Sequence, residues 1–190
     1  MDNLLSVDGP GGRTLAVTEY GDPDGTPVLS LHGTPGSRLR IPPNVADVRT
    51  AGLRVITYDR PGYGGSDRQA GRRIVDCVAD GVAIADALGL DRFHVAGGSG
   101  GAPHALALAA RLPERVASVE ALVSPAPWDA EGLDWFAGMD PENVAEYEWA
   151  LAGEHRLHQA LTLETAEMLR RMDEDEADAI GDLDLGEADQ

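Results

Sequence analysis

The sequence predicts an α/β protein, in which a mostly parallel sheet with flanking helices is followed by a helical segment. After the second β-run, short apolar runs alternate with stretches of helical spacing, as in parallel strands joined by right-handed crossovers. Three of the apolar runs end in loops that are rich in glycine. Ligand sites of such sheets lie at the carboxyl ends of the strands, so these three loops are expected to converge on one site.

The strands follow from apolar runs that are bounded by turn residues. The first candidate alternates apolar and polar side chains over residues 13–20 and ends at a Gly, Asp and Pro cluster over 21–25. Later runs are short and more continuously apolar, which is typical of buried strands. They predict strands at residues 27–31, 53–58, 93–96 and 116–123.

The helices follow from apolar residues at intervals of three and four. Residues 74–88 have this spacing, and Gly89 is suited to the position after the helix end. Residues 100–112 are rich in Ala and Leu and stop before a proline. Beyond Pro127 the pattern favours helices only, most clearly at 142–151 and 154–171.

Composition and charge indicate the domain organisation. With 43% hydrophobic residues in 190, the chain suits one core domain, assigned to residues 1–125, and a helical segment at 126–172. The net charge is −18, and residues 173–190 contain nine acidic residues and no basic one. These last residues are predicted to be a disordered acidic tail. Such acidity disfavours nucleic acid and anionic membranes as partners.

Several other features exclude classes of chemistry or location. All 15 basic residues are arginine, which excludes a lysine nucleophile. The single cysteine, Cys77, excludes an internal disulfide, and its apolar neighbours indicate a small buried side chain. The first ten residues do not resemble a signal peptide, and no apolar run approaches the ~20 residues of a membrane span. We therefore expect a cytoplasmic protein, whose oligomeric state the sequence leaves open.

Residues 97–101 fit the nucleophile-elbow pattern Gly-x-Ser-x-Gly, with Ser99 at its centre. The serine of an elbow lies on a sharp strand-to-helix turn, where side chains two positions before and after would collide, so Gly97 and Gly101 are required. A phosphate-binding loop fits poorly. The dinucleotide pattern would need glycine where Pro103 stands, and the Walker pattern needs a lysine.

Residues 32–36 form a second motif, which begins with His32 and Gly33. A serine that transfers acyl groups needs two backbone N–H groups aimed at the developing oxyanion. One is expected from Gly100, directly after the nucleophile, and the other from Thr34. Taken alone, a His-Gly pair is more typical of a plain turn with a structural histidine.

A third motif, Asp-Arg-Pro-Gly-Tyr-Gly-Gly-Ser, occupies residues 59–66. With all three motifs in order over residues 13–125, the chain resembles the α/β-hydrolase superfamily, in the branch with a His-Gly oxyanion motif. The helices beyond resemble the family's cap insertion. The resemblance implies that Ser99 is the nucleophile, that His32 orients the site, and that Asp59 and Arg60 are structural support. It implies a small-molecule substrate and no cofactor or metal.

The resemblance also implies a catalytic acid and a histidine that follow later strands, in the order Ser, acid, His. After Ser99 the histidines are His104, which is expected to pack or to point to solvent, and His155 and His158, which no predicted strand precedes. Asp129, just after the strand that ends at Val123, is a candidate for the acid. We therefore expect the acid and the base to lie outside these 190 residues.

The leading hypothesis is a serine hydrolase of small esters, amides or related carbonyl compounds, and perhydrolysis by the same residues stays open. The resemblance implies an aspartate at the position of Ser99 in dehalogenases and epoxide hydrolases, so serine argues against both chemistries. Two alternatives remain, a truncated non-catalytic fragment and a binding module that keeps the fold. Four aromatic residues are candidates for substrate contact or for ordinary packing: Trp128, Trp135, Phe136 and Trp149.

Overall fold

Six strands form one mixed sheet in the computed structural model, which describes residues 3–39 and 45–181. The strand order is β1-β2-β4-β3-β5-β6; β1, β2 and β4 pair antiparallel, and β4, β3, β5 and β6 pair parallel. This confirms the predicted α/β class with a mostly parallel sheet. The strands are β1 (Asn3–Asp8), β2 (Thr14–Gly21), β3 (Thr26–Leu31), β4 (Leu53–Tyr58), β5 (Phe93–Gly98) and β6 (Val116–Leu122).

Five helices accompany the sheet among the described residues, and short 3₁₀ turns precede the second and third. The sequence pattern missed α1, because six residues are too few to show helical periodicity. It also missed β1, an edge strand. The other elements lie where they were predicted, although α5 extends further. The helices are α1 (Val45–Thr50), α2 (Cys77–Ala87), α3 (Ala102–Arg111), α4 (Pro141–Leu151) and α5 (Glu154–Gly181).

The hydrophobic core lies between the sheet and the helices of the first 127 residues. Side chains along β5 alternate between buried and half-buried, so that Phe93 and Val95 enter the core. Cys77 is buried in the same core, as its apolar neighbours predicted, and burial raises the pKa of its thiol to about 12. The largest members are each at most 2% exposed: Leu15, Val17, Leu29, Leu31, Ile56, Tyr58, Ile84, Phe93, Val95 and Leu108.

The carboxyl ends of the parallel strands lie at one edge of the sheet, because the strands pair in register. Leu31 at the end of β3 pairs with Gly97, and Gly98 at the end of β5 pairs with Leu122 at the end of β6. The next residue after each of the last two strands has a positive φ, 49° at Ser99 and 46° at Val123. This edge therefore places four strand-end loops side by side.

The chain divides into two units at Pro127, one covering residues 1–127 and the other 128–190. In the second unit α4 packs against α5, and the Asp140 carboxylate caps α4 by accepting from the Glu142 N–H at 2.9 Å. An aromatic cluster precedes and joins α4, with ring centroids of neighbouring members 4.3 to 5.5 Å apart. It consists of Trp128, Trp135, Phe136 and Tyr147.

The acidic stretch, for which the sequence predicts disorder, lies partly inside α5, whose backbone is helical to Gly181. Residues 182–190 lie outside the described part of the chain, and the assignment of a tail at 173–190 stays a prediction. Within residues 3–39 and 45–181, no helix combines the length and the apolar character that are needed to cross a bilayer.

Candidate active site

Ser99 occupies the turn between β5 and α3. Its φ of 49° lies in the left-handed region, which is unfavourable for a residue with a Cβ. A 3₁₀ turn over Ser99–Gly101 leads directly into α3, whose first turn contains Pro103. Because of this turn the side chain of Ser99 is exposed at the sheet edge. The backbone therefore has the strained strand-to-helix geometry that the elbow motif predicts.

The glycines on either side of Ser99 are required by the space around them. A Cβ at Gly97 would lie 2.5 Å from the carbonyl oxygen of Gly101, and a Cβ at Gly101 would overlap the carbonyl oxygen of Leu31. A Cβ at Gly98, by contrast, would meet no atom within 4 Å. Both positions at which the motif specifies glycine are thus crowded.

The loop after β3 packs directly on this turn. A Cβ at Gly33 would lie 3.3 Å from the carbonyl oxygen of Gly98 and 3.5 Å from the Cβ of Ser99. A Cβ at Gly100 would lie 2.7 Å from the Thr34 Oγ1 atom and 3.4 Å from the Thr34 amide nitrogen. The two residues expected to donate to an oxyanion, Thr34 and Gly100, are therefore neighbours across the two loops.

The loop after β4 is held by the carboxylate of Asp59, which is fully buried. This carboxylate accepts hydrogen bonds from the backbone N–H groups of Arg38, at 2.7 Å, and Gly65, at 2.9 Å, and it pairs with the Arg38 guanidinium. Further along, the Ser66 hydroxyl accepts from the Ala16 N–H of β2 at 2.9 Å. The loop is thus fastened at several points to the sheet, which suits a supporting role for Asp59.

Arg60 connects the β4 loop to the Thr34 loop and is only 3% exposed. Its Nη2 atom donates to the Gly33 carbonyl at 3.0 Å and to the Thr34 Oγ1 atom at 2.8 Å. Its guanidinium carbon lies 4.9 Å from the centre of the Tyr63 ring, within range of a cation–π interaction. Burial lowers the pKa of Arg60. The motif did not predict this contact with Thr34.

His32 lies beneath the same loop with both ring nitrogens engaged. Its Nε2 atom accepts from the Arg60 backbone N–H at 3.1 Å, so Nδ1 carries the proton and donates to the Gly33 carbonyl at 2.8 Å. Burial lowers the pKa of His32 and favours the neutral ring. This arrangement leaves the imidazole no free nitrogen with which to take a proton from a nucleophile.

His104 is buried on α3 and donates from Nδ1 to the Gly100 carbonyl at 2.9 Å. Its Nε2 atom faces the Arg60 Nη1 atom at 3.5 Å. Burial, assisted by the charge of Arg60, lowers the pKa of His104 to about 4. Of the two outcomes that the sequence left open for this histidine, the structure shows packing. The spacing of four residues from Gly100 was the available signal, since it puts both on one face of the turn.

The Ser99 hydroxyl makes no hydrogen bond to any residue within the described ranges. The remaining candidates for acid and base, Asp129, His155 and His158, belong to the second unit, and all three are exposed. Within the same ranges, no three His, Cys, Asp or Glu side chains are grouped so that they could hold a metal ion. Within the described ranges the site thus consists of the exposed Ser99 and of Thr34 and Gly100, which pack closely against each other.

Comparison with known proteins gives relatives over most of the chain. A family model described as alpha/beta hydrolase fold matches residues 26–159. Epoxide hydrolase B of Mycobacterium tuberculosis is 31% identical over 141 residues, which are 72% of this chain and 39% of that protein. A 2-hydroxy-6-oxononadienedioate/2-hydroxy-6-oxononatrienedioate hydrolase of Klebsiella pneumoniae is 36% identical over 123 residues, which are 61% of this chain and 42% of that protein.

A solved structure, that of Cfl2 from Burkholderia cenocepacia, superimposes with a TM-score of 0.68 at 25% identity and covers 88% of this chain and 56% of that one. The chain thus spans less than half the length of the two sequence relatives and little more than half of this structure. The family match covers well over half of the chain and includes all three motif loops. On these grounds the chain belongs to the α/β-hydrolase family, of which it contains part of the fold.

Proposed function

We propose that this chain presents Ser99 as the nucleophile of a serine-type hydrolase that acts on small esters, amides or related carbonyl compounds. The observation that carries the proposal is the strained, exposed position of Ser99 at the end of β5, with Thr34 packed against Gly100 beside it. Strain of this kind concentrates at functional sites, where the surrounding structure holds the residue in place.

The chemistry follows from the placement of these groups. The Ser99 Oγ atom attacks the substrate's carbonyl carbon, and the π electrons move to the carbonyl oxygen, where the N–H groups of Thr34 and Gly100 stabilise the negative charge. Collapse of the intermediate re-forms the C=O bond and breaks the C–O or C–N bond, and the alcohol or amine leaves with the proton that the serine gave up. Water then releases the acid from the acyl-enzyme by the same two steps.

The serine proton must pass to a general base during the attack. His32 and His104 do not suit this role, because each ring uses one nitrogen as a donor and has an arginine group facing the other. We therefore propose that the general base is a group other than His32 and His104. The hydrolase names of the relatives support the reaction class. The predicted cytoplasmic location and small-molecule substrate remain parts of the proposal.

Labelling with a fluorophosphonate probe tests the nucleophile. We expect the intact, folded chain to be labelled on Ser99, as located by peptide mass spectrometry, and Ser99→Ala to remain unlabelled. Ser66→Ala provides a matched control, since that hydroxyl is buried and accepts from the Ala16 N–H. Equal labelling of the wild type and Ser99→Ala, or no labelling of the folded wild type, would overturn the proposal.

A second candidate function is that of a binding module without catalysis. It is favoured by the Ser99 hydroxyl, which has no histidine partner within the described ranges. Binding of a small carbonyl compound that persists in Ser99→Ala, together with an unlabelled wild type, would favour this function over the first.

A further inference from the structure

We infer that the hydroxyl of Thr34 is a third oxyanion donor, and that the buried guanidinium of Arg60 orients it. Thr34 is then a catalytic residue through its side chain as well as its backbone, and Arg60 is a positioning residue. The inference rests on the proposed function and deepens it, because it assigns a role to a side chain of the same site.

The first observation is the direction in which Thr34 faces. Its Oγ1 atom and its amide nitrogen lie 2.7 Å and 3.4 Å from the same point, the Cβ position that Gly100 lacks. Both groups of Thr34 therefore border the space above the Cα atom of Gly100. We therefore place the negatively charged oxygen against this side of Gly100, next to both groups of Thr34.

The second observation is the hydrogen bonding of this hydroxyl. The Thr34 Oγ1 atom accepts from the Arg60 Nη2 atom at 2.8 Å, and within the described ranges it makes no other hydrogen bond. A hydroxyl has one proton to donate and two lone pairs that accept. Since Arg60 occupies a lone pair, the proton remains available, and Thr34 is an exposed residue.

The third observation explains why the hydroxyl keeps this orientation. Arg60 is 3% exposed, and the same Nη2 atom also donates to the Gly33 carbonyl at 3.0 Å. A charged donor makes a stronger hydrogen bond than a neutral one and polarises the acceptor hydroxyl. The guanidinium thus fixes the oxygen of Thr34 and increases the acidity of its proton, which strengthens a bond to an oxyanion.

The rate constant for fluorophosphonate labelling at saturation, kinact, measures this role. In that reaction the Ser99 Oγ forms a P–O bond, the P–F bond breaks and fluoride leaves, and the serine proton passes to buffer. The phosphoryl oxygen gains negative charge in the transition state, as a carbonyl oxygen does. Valine has nearly the same shape as threonine but no hydroxyl. We expect Thr34→Val to lower kinact about 100-fold, while KI, the probe concentration that gives half-maximal labelling, changes little.

Conservative variants separate this role from a structural one. Thr34→Ser restores the hydroxyl and is expected to recover most of the rate that Thr34→Val loses. Thr50→Val removes an exposed hydroxyl on α1, outside the site, and serves as the control with unchanged kinact. Thermal unfolding of all variants checks that each one is folded.

A double-mutant cycle tests the link to Arg60. Arg60→Met is expected to lower kinact in the wild type and to lower it much less in the Thr34→Val background, while Arg60→Lys recovers part of the loss. If Arg60→Met does not fold, Arg60→Lys takes its place in the cycle.

The outcomes distinguish the two proposals. If the wild type is labelled on Ser99 and Thr34→Val has the same kinact, the Thr34 hydroxyl is not a third donor, but Ser99 can still be the nucleophile. The same conclusion follows if Thr34→Ser is as slow as Thr34→Val. Additive effects in the cycle overturn the role of Arg60. A folded wild type that is not labelled overturns the proposed function and this inference together.

Discussion

At residue 60 a positive charge is buried without a carboxylate partner among the described residues. The Arg60 guanidinium instead donates hydrogen bonds to the Gly33 carbonyl and the Thr34 hydroxyl, and it lies against the ring of Tyr63. Burying a charge is unfavourable unless polar groups surround it. Burial lowers the pKa values of both His32 and His104, and the charge of Arg60 lowers them further. The three loops of the site therefore share one electrostatic environment.

The low pKa of His104 makes the stability of the protein depend on pH. The folded-state pKa is about 4, whereas an unfolded histidine titrates near 6.5. As the pH falls from about 6.5 to about 4, the unfolded state takes up a proton that the folded state does not, so the free energy of unfolding decreases by up to about 1.4 kcal/mol per pH unit. Above this window the contribution of His104 is fully present.

Urea unfolding of the wild type and His104→Gln between pH 7.5 and pH 4.5 measures this contribution. We expect the wild type to lose more stability than His104→Gln, in which glutamine can still donate to the Gly100 carbonyl. His155→Gln removes an exposed histidine and leaves the buried one, so it should follow the wild type. If the free energy of unfolding fell equally with pH in the wild type and in His104→Gln, the low pKa of His104 would be contradicted.

At the scale of elements, the turn from β5 to α3 determines which substitutions the elbow tolerates. Gly101→Ala places a Cβ against the Leu31 carbonyl oxygen, whereas Gly98→Ala meets no atom within 4 Å and has the extended angles φ −112° and ψ 146°. We expect Gly101→Ala to lower the free energy of unfolding by about 1–3 kcal/mol or more, as overpacking does, and Gly98→Ala to be nearly neutral. Chemical denaturation of the two variants measures the difference, and equal stabilities would contradict it.

The sequence predicted the central elements because each has a local cause. The apolar run of β4, the alternation in β5 and the spacing in α2 all reflect burial against one core. The two missed elements, β1 and α1, are six residues each and carry too few apolar positions to show a period. Their structure comes from contacts with β2 and β4, which a local pattern does not contain.

The site was predictable to a similar extent. The positions of Ser99, Gly97 and Gly101 follow from backbone geometry, which glycine spacing reports directly. The contact between Arg60 and Thr34 joins residues 26 positions apart, and the burial of His104 depends on which face of α3 meets the β4 loop. Neither is visible in a motif. The catalytic roles of Ser99, Thr34 and Gly100 remain predictions.

For the whole molecule, the two units differ in how much apolar surface they bury. Among the described residues the hydrophobic core lies within residues 1–127, whereas Ala160, which is 5% exposed, is the one buried hydrophobic residue of the second unit. Leu163, Met168 and Met172 on α5 are each more than half exposed. Local stability follows local burial, so the two units should open with different free energies.

Amide hydrogen exchange followed by mass spectrometry measures this difference. We expect the amides of β3, β4 and β5 to be the most protected and those of α4 and α5, over residues 141–172, to exchange faster. Both sets of amides are hydrogen-bonded within regular structure, so intrinsic exposure of the backbone does not explain the difference. Protection of α5 equal to that of β4 would show that the second unit is stabilised to the same degree as the core.

The positive φ angles at Ser99 and Val123 determine which substitutions would stabilise this edge of the sheet. The strands before them end in register, so two strained residues stand next to each other at one edge. Substitution of either one by glycine relieves the strain and makes the fold more stable. At both positions, therefore, glycine is the residue that the backbone conformation favours. The gain in stability of Ser99→Gly and of Val123→Gly measures the strain that this edge of the sheet holds.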